Sequence, residues 1–356
     1  MTELSTTVAG TKPSSRTLAH ITHLQIEPTT RCNFTCGFCC GRHMDQSDFT
    51  FTSFEQILDQ LPALCHLELQ GEGEPLLHKD FFQMASLATE RRIKVSTITN
   101  GSMFSASRIR EIIACGIQSI MVSIESPDED RFQDIRGGKL DKVKRGIQDL
   151  IRYRNEVRRD ENPRFPAVGF AVTVLNSTQY ELSGIADLYR ELEMDGGILF
   201  HALSPMAPYS EFYDRKLRDE LLSPVSQALA WSRYDRLVRR STLYHSAVKH
   251  FWDDLLASRE DHLKSSQRQN QFESCPWLDN ALFINRHGVA TACPNVKHYE
   301  RFGWGGLAPD TAESISGKQR RMAAELARGT IPLPCEDCFI ADSICNRSKP
   351  VRKLDE

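Results

Sequence analysis

Cys32, Cys36 and Cys39 stand within eight residues of one another, in the run Glu27-Pro-Thr-Thr-Arg-Cys-Asn-Phe-Thr-Cys-Gly-Phe-Cys-Cys-Gly-Arg42. Thiolates at these spacings can wrap one metal cluster, and no fourth cysteine follows at a matching spacing. A [4Fe-4S] cluster normally takes four thiolates, so a loop with three leaves one iron for a ligand that is not protein. Two plainer readings compete. A structural zinc site wants four ligands, usually in pairs, and packing cysteines are hard to place in a core beside Arg31, Asn33 and Thr35. Cys40, adjacent to Cys39, would point elsewhere and is read as a packing residue.

Further runs supply ligand-binding chemistry. In Gln70-Gly-Glu-Gly-Glu-Pro75, Gly71 and Gly73 let the backbone approach a ligand, and Glu74 offers a carboxylate to an ammonium group. Thr99-Asn-Gly-Ser102 places Asn100 in a strand-end turn. In Val122-Ser-Ile-Glu-Ser126, Ser123 and Glu125 share one strand face and could reach hydroxyl groups. Arg136, in Phe132-Gln-Asp-Ile-Arg-Gly-Gly138, could grip a carboxylate with two nitrogens, or merely cap a helix or pair at the surface. Phe38 is either a shield for the cluster and a nucleobase or an apolar plug.

In order and context these motifs resemble the radical S-adenosylmethionine (SAM) enzymes. The resemblance implies that Cys32, Cys36 and Cys39 hold a [4Fe-4S] cluster whose open iron is chelated by SAM, and that reductive SAM cleavage yields a 5′-deoxyadenosyl radical. It also implies a SAM pocket made by Phe38, Gly71, Gly73, Glu74, Asn100, Ser123 and Arg136. Glu125 departs from the aspartate common among relatives, which leaves its part less defined.

Cys275, Cys293, Cys335, Cys338 and Cys345 form a second group, with Gly288 read as a hairpin glycine that brings Cys293 near Cys275. Their pattern resembles the SPASM and twitch domains appended to radical SAM enzymes. Five cysteines are too few for two auxiliary clusters, so the resemblance implies one auxiliary [4Fe-4S] cluster on Cys275, Cys293, Cys335 and Cys338, with Cys345 as an alternative ligand. A tetrathiolate zinc would satisfy the same residues.

The elements that must position these residues alternate. Candidate strands at Leu24–Glu27, His66–Leu69, Lys94–Thr99, Ser119–Ile124, Val168–Leu175 and Ile198–Leu203 are separated by amphipathic segments at Phe54–Leu61, Phe81–Glu90, Ser105–Cys115, Leu140–Arg154 and Tyr180–Leu192. Such alternation predicts an α/β fold with a parallel sheet and helices outside it, its reactive loops at the C-terminal strand ends. Six units suit the partial (β/α)6 barrel that the family implies, followed by a small cysteine-rich SPASM/twitch-like domain. The expected organisation is a tail over 1–19, the barrel over 20–205, a charged helical bridge over 206–271, the auxiliary domain over 272–347 and a tail over 348–356. In the bridge, Trp231, Tyr234, Phe251 and Trp252 lie among Arg and Lys, as in a solvated helix that packs its aromatics inward or docks a partner. Cys65 and Cys115 are read as buried packing residues. His201, Tyr209 and Tyr213 near the sixth strand are read as packing or surface residues rather than as groups facing substrate, and no acid–base residue is assigned.

A net charge of −3 gives no global attraction to nucleic acid. No run of eighteen apolar residues indicates a membrane span, and the Ser/Thr-rich start lacks the core of a signal peptide, so the expected location is cytoplasmic. Eleven cysteines then read as metal ligands more readily than disulfides. The resemblance implies an electron donor such as flavodoxin or ferredoxin. The leading expected substrate is a ribosomally made peptide, crosslinked, epimerised, oxidised or excised with the help of a separate recognition protein. The rival is a sugar or aminocyclitol of natural-product biosynthesis that is dehydrogenated, dehydrated or decarboxylated. A non-enzymatic metal scaffold would have no need of the Gly71-to-Arg136 constellation.

Overall fold

The computed structural model describes residues 18–161, 164–223, 225–227, 230, 273–308 and 311–346. Strands β1 (His23–Ile26), β2 (His66–Leu69), β3 (Lys94–Thr99), β4 (Ser119–Ser123), β5 (Ala167–Val174) and β6 (Ile198–Ala202) pair in sequential order, all parallel. A parallel neighbour requires a crossover. The helices α1 (Phe51–Asp59), α2 (Phe81–Glu90), α3 (Ala106–Ala114), α5 (Leu140–Val157) and α6 (Leu182–Glu191) lie in these connections. Their burial follows helical spacing: on α5 the buried positions include Leu140, Val143, Ile147, Leu150, Ile151 and Arg154. Strand and helix boundaries fall within about three residues of those read from the sequence.

The connection after β4 also holds α4 (Glu129–Arg136), a helix that periodicity does not reveal because only Phe132 and Arg136 on it are buried. Local chemistry defines it instead. The Asp128 carboxylate accepts the Arg131 N–H at 2.9 Å, acids occupy the first turn, and Gly137 at φ +72° ends it.

The sheet does not stop at the barrel. Strand β7 (Ala281–Ile284) pairs parallel with β1 from His23↔Ala281 to Ile26↔Ile284, and β8 (Val289–Thr291) and β9 (Gly305–Gly306) follow antiparallel, making nine strands among the described residues. Gly288, at φ +77°, turns the expected hairpin. Left uncovered, β1 would offer unpaired backbone groups along an apolar edge; β7, buried at every position, closes it.

Two expectations need correction. Leu18 is not part of a loose tail: its side chain is buried and its N–H donates to the Gln60 carbonyl at 3.2 Å. Cys65 is exposed rather than packed, because it precedes β2 at the open N-terminal end of the strand, where its thiol donates to the Thr22 carbonyl; Cys115 is buried as expected. Most of the aromatic bridge, Trp231, Tyr234, Phe251 and Trp252 included, lies outside the described residues, as do 1–17 and 347–356. Among the described residues no helix is long and apolar enough to cross a membrane.

Candidate active site at the barrel mouth

The loops after β1, β2, β3 and β4 meet at the C-terminal ends of the strands, the end at which parallel sheets carry their sites. Chain geometry forces their close packing. A Cβ on Gly73 would lie 2.4 Å from the Thr29 carbonyl oxygen, and one on Gly71 would lie 2.4 Å from Glu27 Cγ. The Glu74 N–H donates to the Arg31 carbonyl at 2.8 Å, so the glycine run is laid directly against the start of the cysteine loop.

Three thiols face this junction in different surroundings. Cys32 Sγ accepts the Phe34 N–H at 3.4 Å and the Asn100 amide at 3.8 Å; Cys36 Sγ accepts from the Arg136 guanidinium at 3.7 Å. The Cys39 thiol donates to the Glu72 carbonyl at 3.4 Å and the Glu72 carboxylate at 3.5 Å. Desolvation pushes all three thiols above their ordinary range, that of Cys32 although the residue is exposed, and most strongly Cys39, where the Glu72 charge adds to it. A metal cation would reverse that push, and the N–H donors at Cys32 and Cys36 suit thiolates. Among the described residues no three Cys, His, Asp or Glu side chains converge tightly enough to chelate a single ion. In a four-iron cluster each thiolate takes its own iron, so the donor set of this loop fits that group.

The expected pocket residues divide into two kinds. Asn100 joins the cysteine loop directly: its amide donates to Asn33 Oδ1 at 2.9 Å as well as to Cys32. Arg136 is buried, runs its guanidinium 5.9 Å from the Phe38 ring, and is paired with both oxygens of the fully buried Glu125. Glu125 is therefore turned to Arg136 and not to a ligand hydroxyl. Glu74 is also inward: 1% exposed, its carboxylate accepts from Thr99 Oγ1 at 2.7 Å, the Asn100 N–H at 2.7 Å and the Leu76 N–H at 3.1 Å. It buckles the β2 loop to the β3 loop, while Gly71–Gly73 stand half-buried against the cysteine loop. Ser123 and Phe38 stand half-buried at the mouth.

The half-buried positions of β2 and β3, Glu68, Gln70, Ser96 and Ile98, alternate with buried Leu67, Leu69, Val95 and Thr97 and mark the lumen face. Glu68 is the informative one. It accepts from Gln70 Nε2 at 2.6 Å, and burial pushes its carboxyl up to about 8. Across the lumen, His201 Nε2 and Thr173 Oγ1 lie 3.0 Å apart; His201 is exposed at the open mouth, yet the crowding of barrel atoms around it, with the Arg136 charge, lowers it to about 4. Tyr213 is core, as expected.

Sequence reading missed a set of buried charges behind the loops. Glu27, 0% exposed, accepts the Glu72 N–H at 3.1 Å and the Arg286 guanidinium at 3.3 Å. Arg286 also pairs with Asp45. Lys297 Nζ lies 2.7 Å from Glu72 Oε1, which also accepts from the Tyr209 hydroxyl at 3.1 Å. The available signal was a charged residue inside a glycine motif (Glu72) and another at a strand's apolar end (Glu27), positions where a solvated charge has no place.

At the C-terminal module, Cys275, Cys293, Cys335 and Cys338 are brought together. Burial raises Cys275 to about 12 and Cys293 to about 11, and neighbouring thiols of the group push the same way. Cys335 feels Cys293, Cys275 and Cys338, and also Cys345. Cys345 itself is buried, with its thiol 3.7 Å from the Leu326 carbonyl.

Comparison with known proteins fits this geometry. The sequence model of the Radical SAM superfamily matches residues 26–159. The GTP 3′,8-cyclase of Sinorhizobium medicae is 34% identical over 160 residues, 40% of this chain and 43% of the cyclase. A tungsten-containing aldehyde ferredoxin oxidoreductase cofactor-modifying protein of Pyrococcus furiosus is 26% identical over 52% of each chain. The chain thus spans about half, or less, of the length of these relatives. Among solved structures, Streptococcus suis SuiB bound to its precursor peptide SuiA aligns with a TM-score of 0.62 and 16% identity, over 84% of this chain and 66% of SuiB. AnSMEcpe with bound AdoMet aligns with a TM-score of 0.63 and 16% identity, over 91% and 87%. At such identities the likeness is one of fold.

Proposed function

Given that the chain carries a radical SAM domain, an enzyme domain that works with a [4Fe-4S] cluster and SAM, we propose that it modifies a ribosomally made peptide. The observation that carries this is the joining of two cysteine groups by one sheet: Cys32, Cys36 and Cys39 beyond β1, and Cys275, Cys293, Cys335 and Cys338 on the module built onto β1 through β7. SuiB and anSMEcpe, whose folds this chain shares over most of its length, have been solved with peptides bound.

In this reading Cys32, Cys36 and Cys39 hold the cluster, and the group supplies reductive cleavage of SAM and hydrogen-atom abstraction from substrate. The chain's own residues do the rest. Asn100 and Arg136 place N–H donors on two of the thiols. The half-buried Gly71–Gly73, Phe38 and Ser123 line the space a nucleoside would take, and Glu74 holds the glycine loop in place. The barrel strands and the strands of the C-terminal module belong to one sheet, joined where β7 pairs with β1. The module's cysteines hold one auxiliary [4Fe-4S] cluster, an electron donor such as flavodoxin or ferredoxin serves the barrel, and a separate protein recognises the peptide.

The second reading is a small polar substrate, a sugar or aminocyclitol. It is favoured by a module with cysteines for a single cluster and by the relative named for acting on GTP. The test is anaerobic reconstitution, iron and sulfide analysis, and 5′-deoxyadenosine release under dithionite with candidate precursor peptides, aminocyclitols and GTP in parallel. Peptide-dependent release with about eight irons, the content of two clusters, supports the proposal. Stimulation by a small substrate alone moves it to the second reading, and zinc in place of half the iron removes the auxiliary cluster.

A further inference from the structure

The lumen of the barrel is lined by small and polar side chains. Strand register sets Gln25 on β1, Glu68 on β2, Ser96 on β3, Ser119 on β4 and Ala167 on β5 in one row. Their neighbours Leu24, Leu67, Val95, Ile120 and Val168 point the other way, into the core shared with the helices. Barrels of parallel strands are usually filled by layers of bulky branched side chains. Here the row tapers to Ser and Ala, and β5 continues its lumen face with Gly169 and Ala171. The space left is reached by solvent: Glu68, Ser96, Ser123 and Leu199 are half-buried although all four face the inside of the barrel.

Glu68 is the one charged residue of the row. Its Oε2 accepts the Gln70 amide at 2.6 Å, and Gln70 is held in turn by Gln25, whose Nε2 donates to the Gln70 carbonyl at 3.2 Å. Among the described residues the other carboxyl oxygen accepts no hydrogen bond and no cationic side chain pairs with the group. Neutral hydroxyls entering the lumen would be served by the Gln and Ser side chains already there. What a carboxylate adds is charge, and an enclosed charge needs a partner.

We propose that Glu68 is a substrate-binding residue and that the group it receives is a primary ammonium of the substrate. This rests on the reading that the substrate enters the barrel beneath the cysteine loops. In the empty lumen burial pushes the carboxyl up to about 8, so that it is mostly neutral at pH 7. An ammonium beside it supplies the missing counter-charge: the carboxyl proton passes to solvent and a charge-assisted hydrogen bond forms. A lysine side chain of a precursor peptide and the amino group of an aminocyclitol present the same chemistry.

The experiment is saturation-transfer NMR titration of the reconstituted full chain with SAM present, in wild type, Glu68→Gln and Glu68→Ala. The probes are N-acetyl-lysine amide against N-acetyl-norleucine amide, and scyllo-inosamine against scyllo-inositol. SAM affinity, iron content and melting temperature are measured alongside. The expected result is that at least one amine binds about tenfold or more tightly than its amine-free counterpart, the difference one charge-assisted hydrogen bond provides. Both variants should lose that preference and keep their affinity for SAM. Equal affinities within both pairs, no binding of either amine, or a preference that survives in the variants would overturn the proposal. Should the variants fail to fold, carbodiimide coupling of the amine probes to the wild-type chain decides it: an adduct at Glu68 in the peptide map supports the assignment, and adducts at other carboxyls alone sink it. The two functional readings stay separable. Peptide-dependent 5′-deoxyadenosine release without amine preference would remove this inference and leave the peptide reading standing, whereas amine preference without such release would do the reverse.

Discussion

At the scale of single residues, the site is governed by which polar groups have a partner. Cys32 and Cys36 each receive an N–H donor, while Cys39 faces a carboxylate that is itself held by Lys297. Replacing Cys32, Cys36 and Cys39 together with Ala should abolish 5′-deoxyadenosine formation while iron bound at the C-terminal group is retained; loss of all iron would refute the separation of the two groups. Glu68 makes a different prediction. Its folded-state carboxyl is raised to about 8 by burial, so the folded chain holds a proton there that the unfolded chain, with an ordinary carboxylate pKa, releases. The associated stability is complete below the unfolded value and is lost as pH rises towards about 8. Melting temperature should therefore fall less steeply between mildly acidic and mildly basic pH in Glu68→Gln than in wild type; parallel slopes would mean that Glu68 is ionised throughout.

At the scale of elements, the loops are held by close backbone approach and by caps. Gly73 has no room for a methyl group, with a carbonyl oxygen 2.4 Å from where the Cβ would sit. Gly73→Ala should lever the β2 loop off the cysteine loop, at a cost of about 1–3 kcal/mol, and sharply weaken SAM affinity measured by equilibrium dialysis. Retained affinity would show that the loop can move without loss. Helix α4 presents Arg136 to Cys36 from its last turn and starts at the Asp128 cap. Asp128→Ala should cost about 1 kcal/mol of stability, read by urea denaturation, with the iron content unaltered because the cap lies at the far end of the helix.

At the scale of the whole molecule, the decisive feature is that the module is built onto the barrel's first strand and tied there by buried charge. Glu27 receives Arg286 from the β7–β8 turn and the Glu72 N–H from the β2 loop, so one carboxylate joins three segments distant in sequence. Removing one partner of such a pair leaves the other buried and uncompensated, which costs about 3–5 kcal/mol. Arg286→Met should lower the melting temperature accordingly, and Glu27→Gln in the same chain should recover part of the loss. A surface-like change in stability would mean that water reaches the pair.

The six strands of the barrel and five of its helices were legible in the sequence, because the alternation of apolar runs and amphipathic segments leaves few other folds, and so was the gathering of Cys32, Cys36 and Cys39, because they need only one short loop to meet; α4 was not. The sequence also placed Gly288 at a hairpin and Asn100 beside the site. Only the tertiary structure decided that Glu74 and Glu125 are spent on protein partners, that β7 extends the sheet from β1, that Glu27 is buried against Arg286, and that Glu72 meets Lys297. The physical reason is the same in each case. A local pattern reports what a residue does with its neighbours in the chain, whereas the partner that neutralises a buried charge lies tens or hundreds of residues away and becomes visible only when the sheet has brought both to one end.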